Sequence, residues 1–550
     1  MKRTLLGTFV TISLAGCAGF ESYNINHDFN PPERKGEPRP DWITELDQKC
    51  LELALGRPFD LTPKYDYQPG HYSSTVPNFP LDIWERMREG FQLEAEENAR
   101  IEQQKRYFAG KVSYFNGLSQ RAQPYLYYIL EQIEERDMPA EVLALAIVES
   151  SFRPFAYSHG RAAGIWQFIP STGRIFGLEI NYWYDGRRDI VASTKAALDY
   201  LSRLASAFDG DWLLAMAAYN AGRGNVRAAQ QRAKAAGQEP NYWNLQLPSE
   251  TMAYVPRILA IRDIIRDPDK YNVSLPPITN EQQIRVVEAD HQIDLALAAD
   301  WAEVPIEQLY LLNPGFNRWA TPPDGPHRLI LPLEGAKRLE EALAEMDEDE
   351  LVEWRRHQVS YGETLSHIAE QYNINVELIQ DINGLRNQTL RAGDQLYIPV
   401  SSRPPSEYSL SAANRLRDLQ QRNRAGKRRE HIVQPGETLW DISRRYNVSV
   451  RQLASWNGIA PRDTLNPNQK LVVWVDGEAI QTGAAYSPSQ RKQKVTYTVR
   501  RGDSLARIAQ RFNVRVRDIM KMNNIAEGSY LQPGQRLRIE VDVTQQGTSL

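Results

Sequence analysis

Cysteine is almost absent from this 550-residue chain, which has only Cys17 and Cys50. At most one bridge can form, so a disulfide framework is excluded, and nowhere do the 8 histidines gather with cysteine at ligand spacing. The residues therefore call for no metal and no cofactor. Charge of one sign is missing too: 65 Lys and Arg against 69 Asp and Glu leave a formal net charge of -4, with no global bias toward nucleic acid. The apolar run Leu5 to Leu14, behind Lys2-Arg3, is too short for a bilayer span of about twenty residues and reads as a removed export signal over residues 1–16. What is present is an ordinary soluble composition, 42% hydrophobic and 24% charged, with length for about three or four domains.

The most informative stretch runs from Ala140 to Gly164. Glu141-Val142-Leu143-Ala144-Leu145-Ala146-Ile147-Val148 is rich in helix formers and nearly free of charge, which predicts a buried helix started by Pro139. Glu149 closes it, and Pro154 turns the chain away shortly afterwards. Apolar walls and the negative end of the helix dipole both disfavour a carboxylate there. Raising a Glu from about 4.3 to about 6 costs roughly 2.3 kcal/mol and yields an acid able to donate a proton near neutral pH. Taken alone, such a Glu is more often a plain helix-end polar residue than a catalyst.

Its companions decide the matter. Glu149-Ser150, Gly164-Ile165-Trp166-Gln167-Phe168, Ala218-Tyr219-Asn220-Ala221-Gly222 and Tyr254-Val255-Pro256-Arg257-Ile258-Leu259-Ala260 follow one another over about 110 residues. In order and spacing they resemble the motifs of the lytic transglycosylases with a goose-type-lysozyme-like fold, glycoside hydrolase family 23. The resemblance implies a multidomain chain whose mainly α, lysozyme-like catalytic domain spans 111–275. It also implies Glu149 as catalytic acid and base, with Ser150, Gln167, Tyr219, Asn220 and Tyr254 binding substrate.

Usual glycosidases need two carboxylates, and only one is evident. Trp183, Tyr184, Asp185 and Asp189 invite a search for the second, but Asp189 reads better as the N-cap of the helix from Ile190. The family implies the resolution. Glu149 protonates the oxygen between N-acetylmuramic acid and N-acetylglucosamine, the sugar's acetamido oxygen stabilises the cationic centre, and Glu149 then deprotonates the muramyl 6-hydroxyl. A 1,6-anhydro ring results. Locally, Gly164 is expected to permit a close backbone approach, Gln167 to offer an amide near the acid, Asp211 to cap the helix from Trp212, and Gly222 to end it with positive φ. Tyr254 is expected just before a helix, free to donate to substrate or to Glu149.

At the N-terminus, Leu14-Ala15-Gly16-Cys17 resembles the lipobox of bacterial lipoproteins. This implies lipidation of Cys17, and with Ala18 following it, sorting to the periplasmic face of a Gram-negative outer membrane. Cys50 then has no partner and reads as an inert buried thiol. Residues 17–40 form a proline-rich anchor and tether reaching about 75 Å when extended. Residues 41–110 read as a helical N-terminal region, with Ile83, Trp84, Met87 and Phe91 at helical spacing, and Ser119 reads as the N-cap of a following helix.

After the catalytic domain the chain repeats itself. Gly362-Glu363-Thr364-Leu365, Gly436-Glu437-Thr438-Leu439 and Gly502-Asp503-Ser504-Leu505 precede Asn383, Asn457 and Asn523 by one interval, with matched apolar pairs between. The units predict small α+β (βααβ) modules at 355–400, 431–475 and 495–541 that resemble LysM domains, which bind N-acetylglucosamine-containing glycans. A degenerate LysM-like copy is expected at 284–333, where Gln292 replaces the turn glycine. Glycan contact is expected at Gly362, Glu363, Thr364, Gly436, Glu437, Thr438, Gly502, Asp503 and Ser504. An equal, local reading makes Thr364, Thr438 and Ser504 helix caps and the Asn residues turn supports. Segments 401–430 and 476–494 read as linkers. The first, if flexible, has a reach of about 30 Å, and its Arg422, Arg424, Lys427, Arg428 and Arg429 read as solvated charge rather than a nucleic-acid site. The implied partners are peptidoglycan strands and a membrane. Rival readings are a hydrolysing muramidase and an inactive wall anchor.

Overall fold

The computed structural model describes residues 82–542 apart from 95–97, 348–349, 373, 386–389, 476–491, 500–502, 513, 527–530 and 533. The signal segment, Cys17, the tether, Cys50 and Gly502 lie outside the described residues. The chain divides into one unit ending at Asp418 and another beginning at Leu419.

Among the described residues, the first unit begins with nine α-helices: α1 (Ile83–Glu89), α2 (Ala99–Phe108), α3 (Val112–Glu134), α4 (Leu143–Ser150), α5 (Pro170–Ile175), α6 (Ile190–Ala207), α7 (Trp212–Ala221), α8 (Arg223–Ala235) and α9 (Ser249–Arg266). α4 is the hub. Leu143 to Val148 are each at most 2% exposed, all sides of the helix being covered by a core to which α3, α7 and α9 contribute. A 3-10 turn, Ala140–Val142, leads into it, so Pro139 stands before the turn rather than before α4 itself.

Two expectations fail here for one reason. Ser119 caps nothing: it lies inside α3 and donates to the Phe115 carbonyl at 3.0 Å. Tyr254 likewise lies within α9, five residues after its start. Both helices contain a proline, Pro124 and Pro256, and continue through it because their apolar faces are buried in the core. Burial outweighs the local breaker signal.

The LysM-like copy consists of β1 (Ile284–Glu288), α10 (Leu295–Trp301), α11 (Ile306–Leu312) and β2 (Arg328–Pro332), followed by α12 (Leu333–Leu343). β1 and β2 pair antiparallel with Val286 opposite Ile330. It is no free bead. Leu312 and Ile330 belong to the catalytic core, Tyr125 Oη donates to the Leu311 carbonyl at 2.6 Å, and Arg328 pairs with Asp189 at 3.0 Å. The next module has β3 (Glu353–Gln358), α13 (Leu365–Tyr372), α14 (Val376–Ile382) and β4 (Gln395–Val400). It shares a second core with the LysM-like copy.

Residues 401–421 are not the flexible linker expected. They carry α15 (Ala412–Gln421), and buried Tyr408 donates to Asp294 at 2.8 and 3.0 Å, Arg403 pairs with Asp300, and the Ala412 amide donates to the Asn317 carbonyl. The proline-rich, polar composition that suggested a linker here supplies hydrogen-bonding groups for a docked strap.

The second unit holds β5 (Lys427–Ile432), α16 (Leu439–Tyr446), α17 (Val450–Trp456) and β6 (Lys470–Val475), then β7 (Lys492–Thr498), α18 (Leu505–Arg511), α19 (Val516–Asn523) and β8 (Arg536–Asp542). Each module has its own core. Their first strands begin at Lys427 and Lys492, and β3 begins at Glu353, each two to four residues earlier than expected. The first four residues of β3 and of β5 are all exposed, so no alternation of apolar and polar residues announces them. Lys427, Arg428 and Arg429 are therefore strand residues and not linker.

All four modules keep one staple. Asn313, Asn383, Asn457 and Asn523 each donate to the carbonyl four residues back and to a carbonyl of the closing strand, and accept from that strand's amide at 2.7 Å. The side-chain amide thus pins the second helix to the sheet, a supporting role of the kind the local reading expects.

Candidate active site

Glu149 sits in the last turn of α4, half-buried, with the helix interior behind it. The chain leaves through two left-handed residues, Ser151 (φ 52°) and Phe152 (φ 57°), a strained exit that stops the helix at once. The exit is pinned from α3's side: Arg121 Nε donates to the Ser151 carbonyl at 2.8 Å and Tyr114 Oη lies 3.1 Å from Ser151 Oγ.

Tyr254 Oη donates to Glu149 Oε1 at 2.7 Å, so this hydroxyl faces the acid, as one of the two options for it required. Burial pushes the Glu149 carboxyl up to about 7; the Tyr254 bond and Arg257 pull it down, and the charge of Glu250 pushes it further up. The group is therefore part acid and part carboxylate at neutral pH. Burial beside Glu149 also holds the Tyr254 and Tyr219 hydroxyls far above the ordinary tyrosine range, so both stay protonated donors.

The wall opposite is the loop through Gly164. With φ 79°, Gly164 lies so close to the next loop that a Cβ would stand 2.0 Å from the Arg187 carbonyl oxygen, confirming the close approach. Trp166 is buried, anchors the loop by donating to Thr194 Oγ1 at 3.0 Å, and accepts from Tyr219 Oη at 2.9 Å. Gln167 (φ 50°) donates to the Gly164 and Ala156 carbonyls at 2.8 and 3.4 Å, so its amide stiffens the loop. Ser150 departs from expectation: it is buried, and its hydroxyl donates to the Ile165 carbonyl at 2.9 Å. It ties the acid's helix to the loop, helix geometry turning it a residue's rotation away from Glu149.

Asp211 caps α7 by accepting from Leu214 N at 3.0 Å, and Gly222 (φ 85°) ends it. Asn220, in the final turn, accepts from Thr251 Oγ1 at 2.7 Å and points its amide at Glu250 Oε1, 3.5 Å away. Glu250 and Thr251 stand outside the sequence motifs, and Arg257 lies within one without a role of its own. The sequence signal for the first two is the Ser249-Glu250-Thr251 start of α9, which a helix start after Tyr254 leaves out. Asp185 is no acid in waiting. Although burial favours its neutral form, the Arg187 guanidinium at 2.7 and 2.8 Å and nearby Arg188 hold it below the usual carboxylate range. Asp189 caps α6 through Ala192 N, as expected. Among the described residues, no three His, Cys, Asp or Glu side chains are gathered as a metal site.

In the repeats, the polar residues turn inward. Glu363 accepts from Ser360 N at 2.8 Å and faces His357 Nε2 at 3.1 Å; Glu437, buried, accepts from Gln434 N and meets His431 and Arg445; Asp503 accepts from Tyr497 Oη at 2.7 Å. Thr438 forms a capping box with Asp441, while Thr364 and Ser504 accept from His367 N and Arg507 N. The carboxylates expected at sugar contacts are thus committed to the turn. Gly362 and Gly436, with positive φ and open space where a Cβ would stand, leave the loop backbone accessible.

A lysozyme-like helical domain with one acid raised toward neutrality, followed by βααβ modules, defines a lytic transglycosylase with wall-binding repeats. Residues 127–241 match the transglycosylase SLT domain family, residues 283–348 the family described as lytic transglycosylase MltD, LysM-like domain, and residues 357–399, 431–474 and 497–540 the LysM domain family. The chain is 35% identical over 460 residues, 84% of its own length and 86% of the relative's, to membrane-bound lytic murein transglycosylase D of Escherichia coli (strain K12). The chain belongs to the family of that enzyme. It is also 28% identical over 194 residues, 35% of this chain and 25% of the relative, to the autolysin of Enterococcus faecalis. Among solved structures it is similar to an inactive variant of the lytic transglycosylase Slt from Pseudomonas aeruginosa, at 20% identity, 44% and 45% coverage and a TM-score of 0.20.

Proposed function

We propose that this chain is a peptidoglycan lytic transglycosylase of the cell envelope, in which Glu149 serves as sole acid and base on the bond between N-acetylmuramic acid and N-acetylglucosamine. The observation that carries the reading is the Tyr254–Glu149 contact at 2.7 Å on a carboxyl pushed up to about 7. With Oε1 held by Tyr254, Oε2 delivers its proton to the glycosidic oxygen; the departing N-acetylglucosamine carries that proton away as a hydroxyl. The carboxylate left behind keeps the Tyr254 hydrogen bond, which favours its charged form. It then removes the proton of the muramyl 6-hydroxyl as that oxygen closes onto C1, which restores the acid and forms the anhydro ring. Tyr219, Asn220 and Gln167 line and stiffen the cleft.

Glu250 supports the rival hydrolytic reading, since it is a second carboxylate close enough to oppose ionisation of Glu149. The two separate on products: sacculi digested by the intact protein yield anhydro-muramyl ends under our reading and reducing ends under hydrolysis. Glu149→Gln lowers the rate by at least about 10²-fold, whereas an uncleaved digest with the intact protein would leave only the anchor reading. Lipidation of Cys17 places the enzyme at the outer membrane, facing the wall. Cys17→Ala releases it from washed membranes; continued membrane association of that variant would refute the lipid anchor.

A further inference from the structure

The middle wall-binding module carries a cavity lined in part by residues that its sister copies do not share. It has a volume of about 330 Å³ and is lined by Tyr446, Gln452, Trp456 and Trp474, with Arg424 and Asn447 at its margin. That size falls at the lower end of small-ligand pockets, about 300–1,000 Å³. Trp456 ends α17 and is half-buried; Trp474 lies on β6, is 9% exposed, and among the described residues its buried indole N–H has no hydrogen-bond partner. An unsatisfied buried donor is costly and favours any rearrangement that brings it an acceptor.

The internal repeat supplies the comparison. At the place of Trp456 the first and third modules have Ile382 and Met522, and at the place of Trp474 they have Pro399 and Glu540. Packing of the common βααβ core therefore does not require the pair. Nor does the cavity coincide with the loops around Gly436 and Thr438, where all copies are alike; it lies where the turn after α16 meets α17 and β6. Indoles present large apolar faces to the C–H face of a pyranose while their N–H meets a ring substituent.

We propose that this cavity is a second sugar subsite of the middle module that takes one N-acetylated pyranose ring of a glycan strand against Trp456 and Trp474, the ring's arrival shifting the Trp474 indole enough for its buried N–H to reach a carbonyl or hydroxyl oxygen of the sugar. The proposal rests on the wall-binding reading of the repeats. Apolar contact is supplied by Trp456 and Tyr446, polar margin by Arg424 and Gln452.

The test uses the full-length Glu149→Gln protein labelled with 5-fluorotryptophan, titrated with an N-acetylglucosamine tetrasaccharide and followed by fluorine NMR. The Trp456 and Trp474 lines are assigned from Trp456→Phe and Trp474→Phe. Both lines shift saturably if the subsite exists, and Trp456→Ile, which installs the first module's residue, weakens the tetrasaccharide affinity read from them by roughly 2- to 12-fold. If the protein is retained on sacculi and these two lines do not move, the subsite is refuted while wall binding stands. If there is neither retention nor any shift, the wall-binding reading falls and the subsite with it.

Discussion

Replacing Glu149 with Gln separates the chemistry of the acid from its cost to the fold. Its carboxyl is held at about 7 against 4.5 for an ordinary Glu, chiefly because burial penalises its charge. The gap corresponds to about 3 kcal/mol. Below pH 4.5 the group is protonated in both the folded and the unfolded chain and costs nothing. As pH rises from 4.5 the unfolded chain gives up its proton while the folded chain keeps it, so stability is lost progressively until pH passes about 7 and the loss is complete. Gln carries no proton and its carbonyl still accepts from Tyr254. The variant should therefore melt with the parent near pH 4.5 and above it at pH 8, by roughly 5 to 10 °C at the upper limit. Calorimetry of both proteins across that range measures the difference directly, other titrating groups cancelling. Equal melting temperatures at pH 4.5 and pH 8 would mean that Glu149 ionises like a solvated acid, and its role as a proton donor at neutral pH would be refuted.

Four further outcomes follow from the same geometry. Tyr254→Phe removes a hydrogen bond to a charged group, worth about 1.5–3 kcal/mol, so kcat should fall about 10- to 150-fold and the alkaline limb of the kcat/KM profile should move to higher pH; an unmoved limb would disconnect the tyrosine from the acid. Glu250→Gln should shift that limb the opposite way while activity persists, and loss of cleavage would make Glu250 the missing second carboxylate. Gly164→Ala forces a Cβ into the Arg187 carbonyl, so thermal denaturation should show a loss of several kcal/mol, on the order of 3 or more, and a wild-type melting curve would contradict the close approach. A chain ending at Gln421 should keep cleaving short soluble glycans at the parent rate but lose much of its retention on sacculi, whereas one ending at Trp354 should also lose thermal stability, because it removes Tyr408 from Asp294 and about a third of a shared core; equal stability of the two would show that the first module and its strap add nothing to the fold.

Much of the site was legible because its signals are local. An apolar run ending in one acid, a glycine that only a close approach explains, and Asp211 and Asp189 ahead of helices each follow from a few neighbouring residues. What was not legible depends on burial by distant parts of the chain. Pro124 and Pro256 signal helix ends, yet α3 and α9 run through them because the core covers their faces, and that displaced Ser119 from a cap to a helix interior and hid Glu250 and Thr251. Ser150 sits beside the acid in the motif, but a helix sends adjacent side chains in different directions, and its hydroxyl turns to Ile165. The repeats were readable from their spacing alone. Their docking was not: the strap at 401–421 has a linker's composition, and only its partners Asp294, Asp300 and Asn317, about a hundred residues earlier, make it part of the fold.

In the proposed reaction Glu149 completes cleavage with an intramolecular hydroxyl instead of water. Digestion of sacculi in water enriched in heavy oxygen, followed by mass spectrometry of the released muropeptides, tests it most directly. Closure by the 6-hydroxyl gives muramyl ends lighter by one water than a hydrolysis product and free of heavy oxygen; reducing ends that carry the heavy label would refute it.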